Sequence, residues 1–214
     1  MAPERQVDFY RMRLVRPRRA GWTRTVRGYR GSVTDGDGAT RTVYTIGHST
    51  RSPDEFVEAL RQHGVQVVAD VRAVPGSRRN PQFGPEELPR SLAEAGIDYV
   101  AFTEQLDGRR YSRVGEPTVN GAWRNHSFRS YADYMQTPGF ARGVDALLEL
   151  ADARRVAMMC AEAVPWRCHR SLIGDALVAR GVPVADIMTA TASRPHELRS
   201  FARVDGHRVW YPPE

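Results

Sequence analysis

The segment Arg155-Val-Ala-Met-Met-Cys160-Ala-Glu-Ala-Val-Pro-Trp-Arg-Cys-His-Arg170-Ser-Leu-Ile-Gly-Asp-Ala-Leu-Val178 passes from a continuous apolar run, through a polar stretch, into an amphipathic one. That order reads as buried strand, tight loop and helix. Between Cys160 and Arg170 the loop holds both cysteines of the chain, Glu162, His169 and the arginines Arg167 and Arg170. In an open α/β sheet, ligands bind where strands hand over to helices. A polar cluster at such a point marks a site without naming a reaction.

The same alternation extends in both directions. Thr42-Val-Tyr-Thr-Ile46 is a short β-branched strand ending at Gly47. Ser52-Pro-Asp-Glu55 opens a helix, with Ser52 as N-cap, Pro53 in the first turn and Glu55 closing a capping box. Phe56, Val57 and Leu60 give that helix its inner face, and Gly64 ends it. Val65 to Val71 is a second strand, too continuously apolar for an exposed edge. A Pro/Gly/Arg-rich loop from Ala73 to Gly84 leads to a helix over Pro85–Ala95, and Asp98–Phe102 is a third strand.

Residues 104–126 carry Gly108, Gly115, Pro117 and Gly121 with no apolar period, a loop long enough to be functional or disordered. Helices follow around Phe128–Gln136 and Phe140–Ala153. Pro183–Met188 is a fifth strand, and Asp205-Gly206 between alternating apolar residues marks a hairpin over Phe201–Tyr211. Strands alternating with helices imply a mostly parallel sheet covered on both faces, with the first, second and fourth strands parallel.

All 31 basic residues are arginine, which excludes lysine Schiff bases and a P-loop lysine. Residues 1–30 hold nine arginines against Glu4 and Asp8, whereas residues 31–214 hold 22 arginines against 23 acids. Residues 1–40 therefore read as a basic, disordered extension, one able to bind nucleic acid or another polyanion. Residues 41–214 read as a single α/β domain. No run of 18 apolar residues and no signal-peptide core occurs, so a membrane partner is not expected. Two cysteines make no disulfide framework, and a cytoplasmic location is the expectation.

Chemistry-bearing residues fall at three strand ends. Gly47, His48 and Ser49 follow the first; Asp70 and Arg72, then Pro75, Ser77 and Arg78, follow the second; Cys160 and Glu162 follow the fourth, with Cys168, His169 and Arg170 at the next helix start. Parallel strands would bring these loops to one edge. Asp70 and Arg72 share a face, for an ion pair or joint ligand contact. Arg170 and Ser171 at a helix N-terminus would complete a phosphate- or carboxylate-sized pocket. Of the thiols, Cys160 ends a buried strand, where cysteine is commonly inert. Cys168 among Arg167, His169 and Arg170 is the better nucleophile candidate. His63, His126, His196 and His207 lack a partner pattern and read as surface or loop residues.

Three motifs, Thr45-Ile-Gly-His-Ser49, Asp70-Val-Arg-x-x-Pro-x-Ser77 and Cys160-x-Glu-x5-Cys-His-Arg170, together resemble the bacterial and archaeal family called domain of unknown function 488. The segment from Phe201 to Pro212 is similar to that family's C-terminus, so the resemblance spans roughly residues 42–212. It implies an α/β, Rossmann-like three-layer sandwich with no assigned reaction or cofactor. It also supports the motif positions named above as a site.

The favoured expectation is an enzyme acting on a small phosphorylated, nucleotide-like or nucleic-acid substrate. His48, Asp70, Glu162 and Cys168 are its candidate catalytic groups. Ser49, Arg72, Ser77, Arg78, His169 and Arg170 are its candidate anion-binding groups. A phosphatase or rhodanese loop is excluded, because Cys160 to Arg167 is Cys-x6-Arg with Pro165 inside it. One alternative is a non-catalytic module binding an anionic ligand or, through the basic arm, nucleic acid. Another is a metal site from Cys160, Cys168, His169 and Glu162, whose spacing matches neither zinc Cys-x2–4-Cys pairs nor a catalytic helix motif.

Overall fold

A computed structural model describes residues 41–76, 78–112 and 117–213. The basic segment 1–40 and Ser77 lie outside the described residues. Five parallel strands, β1 (Val43–Gly47), β2 (Val67–Asp70), β3 (Asp98–Ala101), β4 (Val156–Cys160) and β5 (Val184–Ile187), form one sheet with the antiparallel edge strand β6 (Ser193–Pro195). Their order is β3-β2-β4-β1-β5-β6. β2 and β4 are buried at every position, as their unbroken apolar runs require.

The sheet is covered on both faces. On one side lie α1 (Pro53–Gln62) and α2 (Glu87–Glu94), which meet Ile46, Val68, Ala157 and Met159 through Phe56, Leu60, Leu88 and Leu92. On the other lie α3 (His126–Tyr134), α4 (Pro138–Ala153) and α5 (Arg170–Val178), packed on Val67, Ala69, Val156 and Met158. The three-layer architecture and the parallel pairing of β1, β2 and β4 agree with the sequence reading. α1 starts where the capping box places it: Ser52 accepts from the Glu55 amide at 3.1 Å and Glu55 returns the bond to the Ser52 amide at 2.8 Å. Such an N-cap contributes about 1 kcal/mol. The strands β7 (Arg203–Asp205) and β8 (Arg208–Trp210) form the expected hairpin, and Val209 and Tyr211 pack it into the core beside α5. That cover explains why α5 is buried from Arg170 through Leu177 although its sequence looks amphipathic.

Connectivity sets where a site can form. β1 runs into α1 on one face, while its neighbour β4 runs into α5 on the other. Adjacent strands whose helices diverge in this way open the sheet at their carboxyl ends. No helix among the described residues is long and apolar enough to cross a membrane.

Candidate active site

At the end of β2, Asp70 and Arg72 form a buried ion pair. Arg72 donates from Nε to both Asp70 oxygens (3.0 and 3.1 Å) and from Nη2 to Oδ2 (2.7 Å). The Tyr99 hydroxyl donates to the same Oδ2 at 2.7 Å, across from the neighbouring strand β3. The remaining amine, Nη1, donates to the Phe83 carbonyl (2.9 Å) and faces His48 Nε2 (3.3 Å). His48 Nδ1 lies 2.9 Å from the Ser49 carbonyl, which can only accept, so Nδ1 carries the proton and Nε2 presents a lone pair to Arg72. Burial lowers the His48 pKa, favouring the neutral ring. Its face stacks on Phe83 at 4.2 Å. Ser49 adopts the left-handed φ of 49°, uncommon for a residue with a side chain, and its amide bonds the Ala161 carbonyl.

On the opposite face of the same edge, Cys160, Cys168 and His169 bring their ligand atoms within 4.8 Å of one another. A 3-10 turn over Pro165–Arg167 folds the chain back so that Cys168, eight residues on, sits against Cys160. His169 Nε2 donates to the Val71 carbonyl at 3.0 Å, tying the start of α5 to the end of β2. Its Nδ1 faces Cys168 Sγ at 3.6 Å. Gly108 closes the far side: a Cβ there would come 2.5 Å from Nδ1 of that ring. The long loop after β3 is thus packed against the cluster where it is described, with Leu106 and Asp107 buried.

Both thiols are buried, Cys160 as its place at the end of an apolar strand implies and Cys168 against expectation. Cys168 does not open an exposed helix terminus; it is 3% exposed, and burial pushes its thiol well up. Hydrogen bonding from Cys168 pulls Cys160 well down despite its own burial. Arg170 also differs from expectation. It is 1% exposed, and instead of lining an open anion pocket it donates to the carbonyls of Glu162 (2.5 Å) and Ala163 (3.1 Å) and to Thr45 Oγ1 (3.3 Å). A guanidinium fixed in this way shapes the loop. Glu162 itself is exposed, as is Arg78 on the loop after β2. Gly47 explains how the β1 and β4 loops lie so close, since a Cβ on it would overlap the Glu162 carbonyl.

His196 is the residue whose surroundings the sequence hid. Far from being a surface histidine, its imidazole is wedged between two buried carboxylates, Asp175 Oδ1 (2.9 Å from Nε2) and Asp186 Oδ2 (3.5 Å from Nδ1). Burial works against the charged ring, but the bonds to Asp175 and Asp186 outweigh it and raise the pKa to about 9. The chain continues outward at both ends: Tyr211 donates to Asp175 at 2.7 Å, and Thr45 donates to Asp186 at 2.5 Å. Beside it opens a cleft of about 430 Å³, walled by Trp166, Ser171, Arg194, His196 and Arg199. Arg194 lies over the Trp166 ring at 4.5 Å. Arg199 donates to Ser171 Oγ at 2.7 Å, and its buried Nε finds no acceptor among the described residues. Arg194 and Arg199 sit in a stretch of short, exposed structure without apolar period, so no sequence signal pointed to them.

The family model for "Domain of unknown function DUF488" matches residues 52–177, more than half of the chain. The chain belongs to this family. The matched span holds the Asp70–Ser77 and Cys160–Arg170 motifs, while Thr45–Ser49 and the cleft residues Arg194, His196 and Arg199 lie outside it. No curated protein and no solved structure matches the chain.

Proposed function

We propose that this DUF488 protein is an enzyme acting on a phosphorylated, nucleotide-like or nucleic-acid substrate. Its reactive groups lie at the carboxyl edge of the sheet, and the cleft at Trp166 and Arg199 receives the substrate's anionic group. The observation that carries this reading is the double use of one loop. Cys168 and His169 face Cys160 on one side of it, and Pro165 and Trp166 wall the cleft on the other. Arg72 and Arg170 are engaged with Asp70 and with backbone carbonyls, so Arg194 and Arg199 take over as anion ligands. Arg199 supports this by its place in the cleft wall, where its Nη2 already donates to Ser171 Oγ at 2.7 Å and holds the guanidinium at the cavity. The Trp166 indole offers a face on which a base would stack, displacing Arg194. Glu162, exposed just after β4, is the proton carrier in this reading.

The test uses full-length protein with adenosine 5′-monophosphate as the binding probe and p-nitrophenyl phosphate and bis(p-nitrophenyl) phosphate as turnover probes. Arg194→Ala is expected to weaken nucleotide binding at least tenfold with an unchanged thermal midpoint, since Arg194 is exposed. Glu162→Gln is expected to lower turnover by about 10²-fold or more, the usual contribution of a general acid or base, and to leave binding intact. Binding without turnover of either phosphoester would favour the non-catalytic module, and absence of both would overturn the reading.

A further inference from the structure

We infer that Cys160, Cys168 and His169 form a site for one zinc ion, or a comparably thiophilic divalent metal, with a fourth coordination position left open. The inference deepens the reading above and rests on it for what the metal would do, though not for whether the metal binds. In a tetrahedral zinc site, thiolate sulfurs at about 2.3 Å and an imidazole nitrogen at about 2.0 Å stand roughly 3.6–3.8 Å from one another. Cys168 Sγ and His169 Nδ1 already stand 3.6 Å apart, and all three ligand atoms fall within 4.8 Å. Closing on an ion takes a shift of about 1 Å, within the reach of a χ1 adjustment.

The orientation of His169 is the second, independent observation. A metal-bound histidine almost always donates its other ring N–H to a carboxylate or backbone carbonyl, which fixes the tautomer and aims the free lone pair at the ion. His169 Nε2 makes that bond to Val71 at 3.0 Å, leaving Nδ1 turned toward the thiols. Tyr131, with ring centroids 5.0 Å apart, packs against the imidazole, and Gly108 leaves no room behind it. The ring is therefore held in the ligating pose by its surroundings before any metal arrives.

The donor set narrows the metal and its role. Two thiolates and an imidazole suit zinc and exclude the hard, oxygen-seeking magnesium and calcium. Three protein ligands rather than four is the pattern of a catalytic site, where water or substrate takes the open position. Glu162, read from sequence as a fourth ligand, instead has an exposed side chain, beside the site and not in it. The spacing matches no standard zinc motif because seven residues separate the cysteines and the ligands meet only through the turn at Pro165–Arg167.

The test is metal uptake by the intact, full-length protein. Chelator-stripped protein is titrated with cobalt(II) and, in competition with a chromophoric chelator, with zinc. One equivalent per chain is expected, with sulfur-to-cobalt charge-transfer absorption and the strong visible bands of tetrahedral cobalt. Cys160→Ser and Cys168→Ser are each expected to lose the charge-transfer intensity in part and to weaken zinc binding more than tenfold. His169→Gln should weaken zinc while keeping both sulfur contributions. The wild-type titration alone decides the matter should a variant fail to fold. No uptake, octahedral cobalt spectra, or two thiols that react with a thiol reagent equally fast with and without zinc would overturn the site. Turnover of phosphoesters by metal-free protein would overturn the metal's part in the reaction and spare the enzyme. Tight zinc binding without turnover would do the reverse.

Discussion

Substituting His196 by glutamine strands Asp175 and Asp186, two buried carboxylates that share one imidazolium. Breaking such a pair from one side costs about 3–5 kcal/mol, because the remaining charges stay buried without a partner. The ring's pKa of about 9 lies above the value near 6.5 expected for an unfolded histidine. Its contribution is therefore complete below pH 6.5, declines above that, and is lost as pH rises through 9. The titrating groups that face it are Asp175, Asp186 and, one bond further, Tyr211. Denaturation of wild type and His196→Gln across pH 6 to 10 should show the stability gap largest at the acid end and narrowing by about 3 kcal/mol toward the alkaline end. A constant gap would mean that the ring is neutral in the fold. Sequence could not reveal this, since the partners sit 21 residues before and 10 residues before the histidine, on a helix and a strand that only the fold brings together.

Among elements, the loop between β4 and α5 depends on what it touches as much as on its own residues. Gly47 lets β1 run flush against the Glu162 carbonyl, and the amides of His48 and Ser49 then bond the carbonyls of Cys160 and Ala161 at 2.9 Å. Gly47→Ala places a methyl group in contact with that backbone. It is expected to destabilise by about 1–3 kcal/mol, as overpacking does, and to reduce occupancy of both the cleft and the sulfur cluster. A midpoint within a degree of wild type would show that the loop yields freely. The strands themselves were easy to read, because continuous apolar runs such as Val156-Ala-Met-Met159 have nowhere to go but a buried parallel sheet. The capping box fixed α1 for the same local reason. β6 escaped notice: it has three residues, all exposed, and pairs with β5 through backbone alone. Convergence of His48, Asp70, Arg72, Cys160 and His169 at one edge was legible from strand order. The pairing of Arg72 with Asp70 was one of the two outcomes their i, i+2 spacing offered. The inward turn of Arg170 and the burial of Cys168 were not legible, because side-chain direction depends on loops with no period.

At the scale of the molecule, charge and chemistry separate. The sheet, its helices and the site are built from residues near charge balance, while nine arginines crowd the first 30 positions. The described sheet begins at Val43, beyond that segment. Protein starting at Arg41 should keep its thermal midpoint, bind a DNA oligonucleotide more weakly, and lose most of the salt dependence of that binding. A marked fall in the midpoint would place part of the arm on the fold. Under the proposed function, charge in the first 30 residues and a cleft that binds an anion would together suit a substrate that carries phosphate along a chain.

The most direct measurement is an experimental structure of the full chain soaked with tungstate, a tetrahedral dianion visible by its anomalous scattering. The proposal requires the ion in the cleft against Arg194 and Arg199, beside the loop that carries Cys168 and His169. Tungstate bound elsewhere, or excluded from a cleft that Arg194 and Trp166 keep closed, would contradict it.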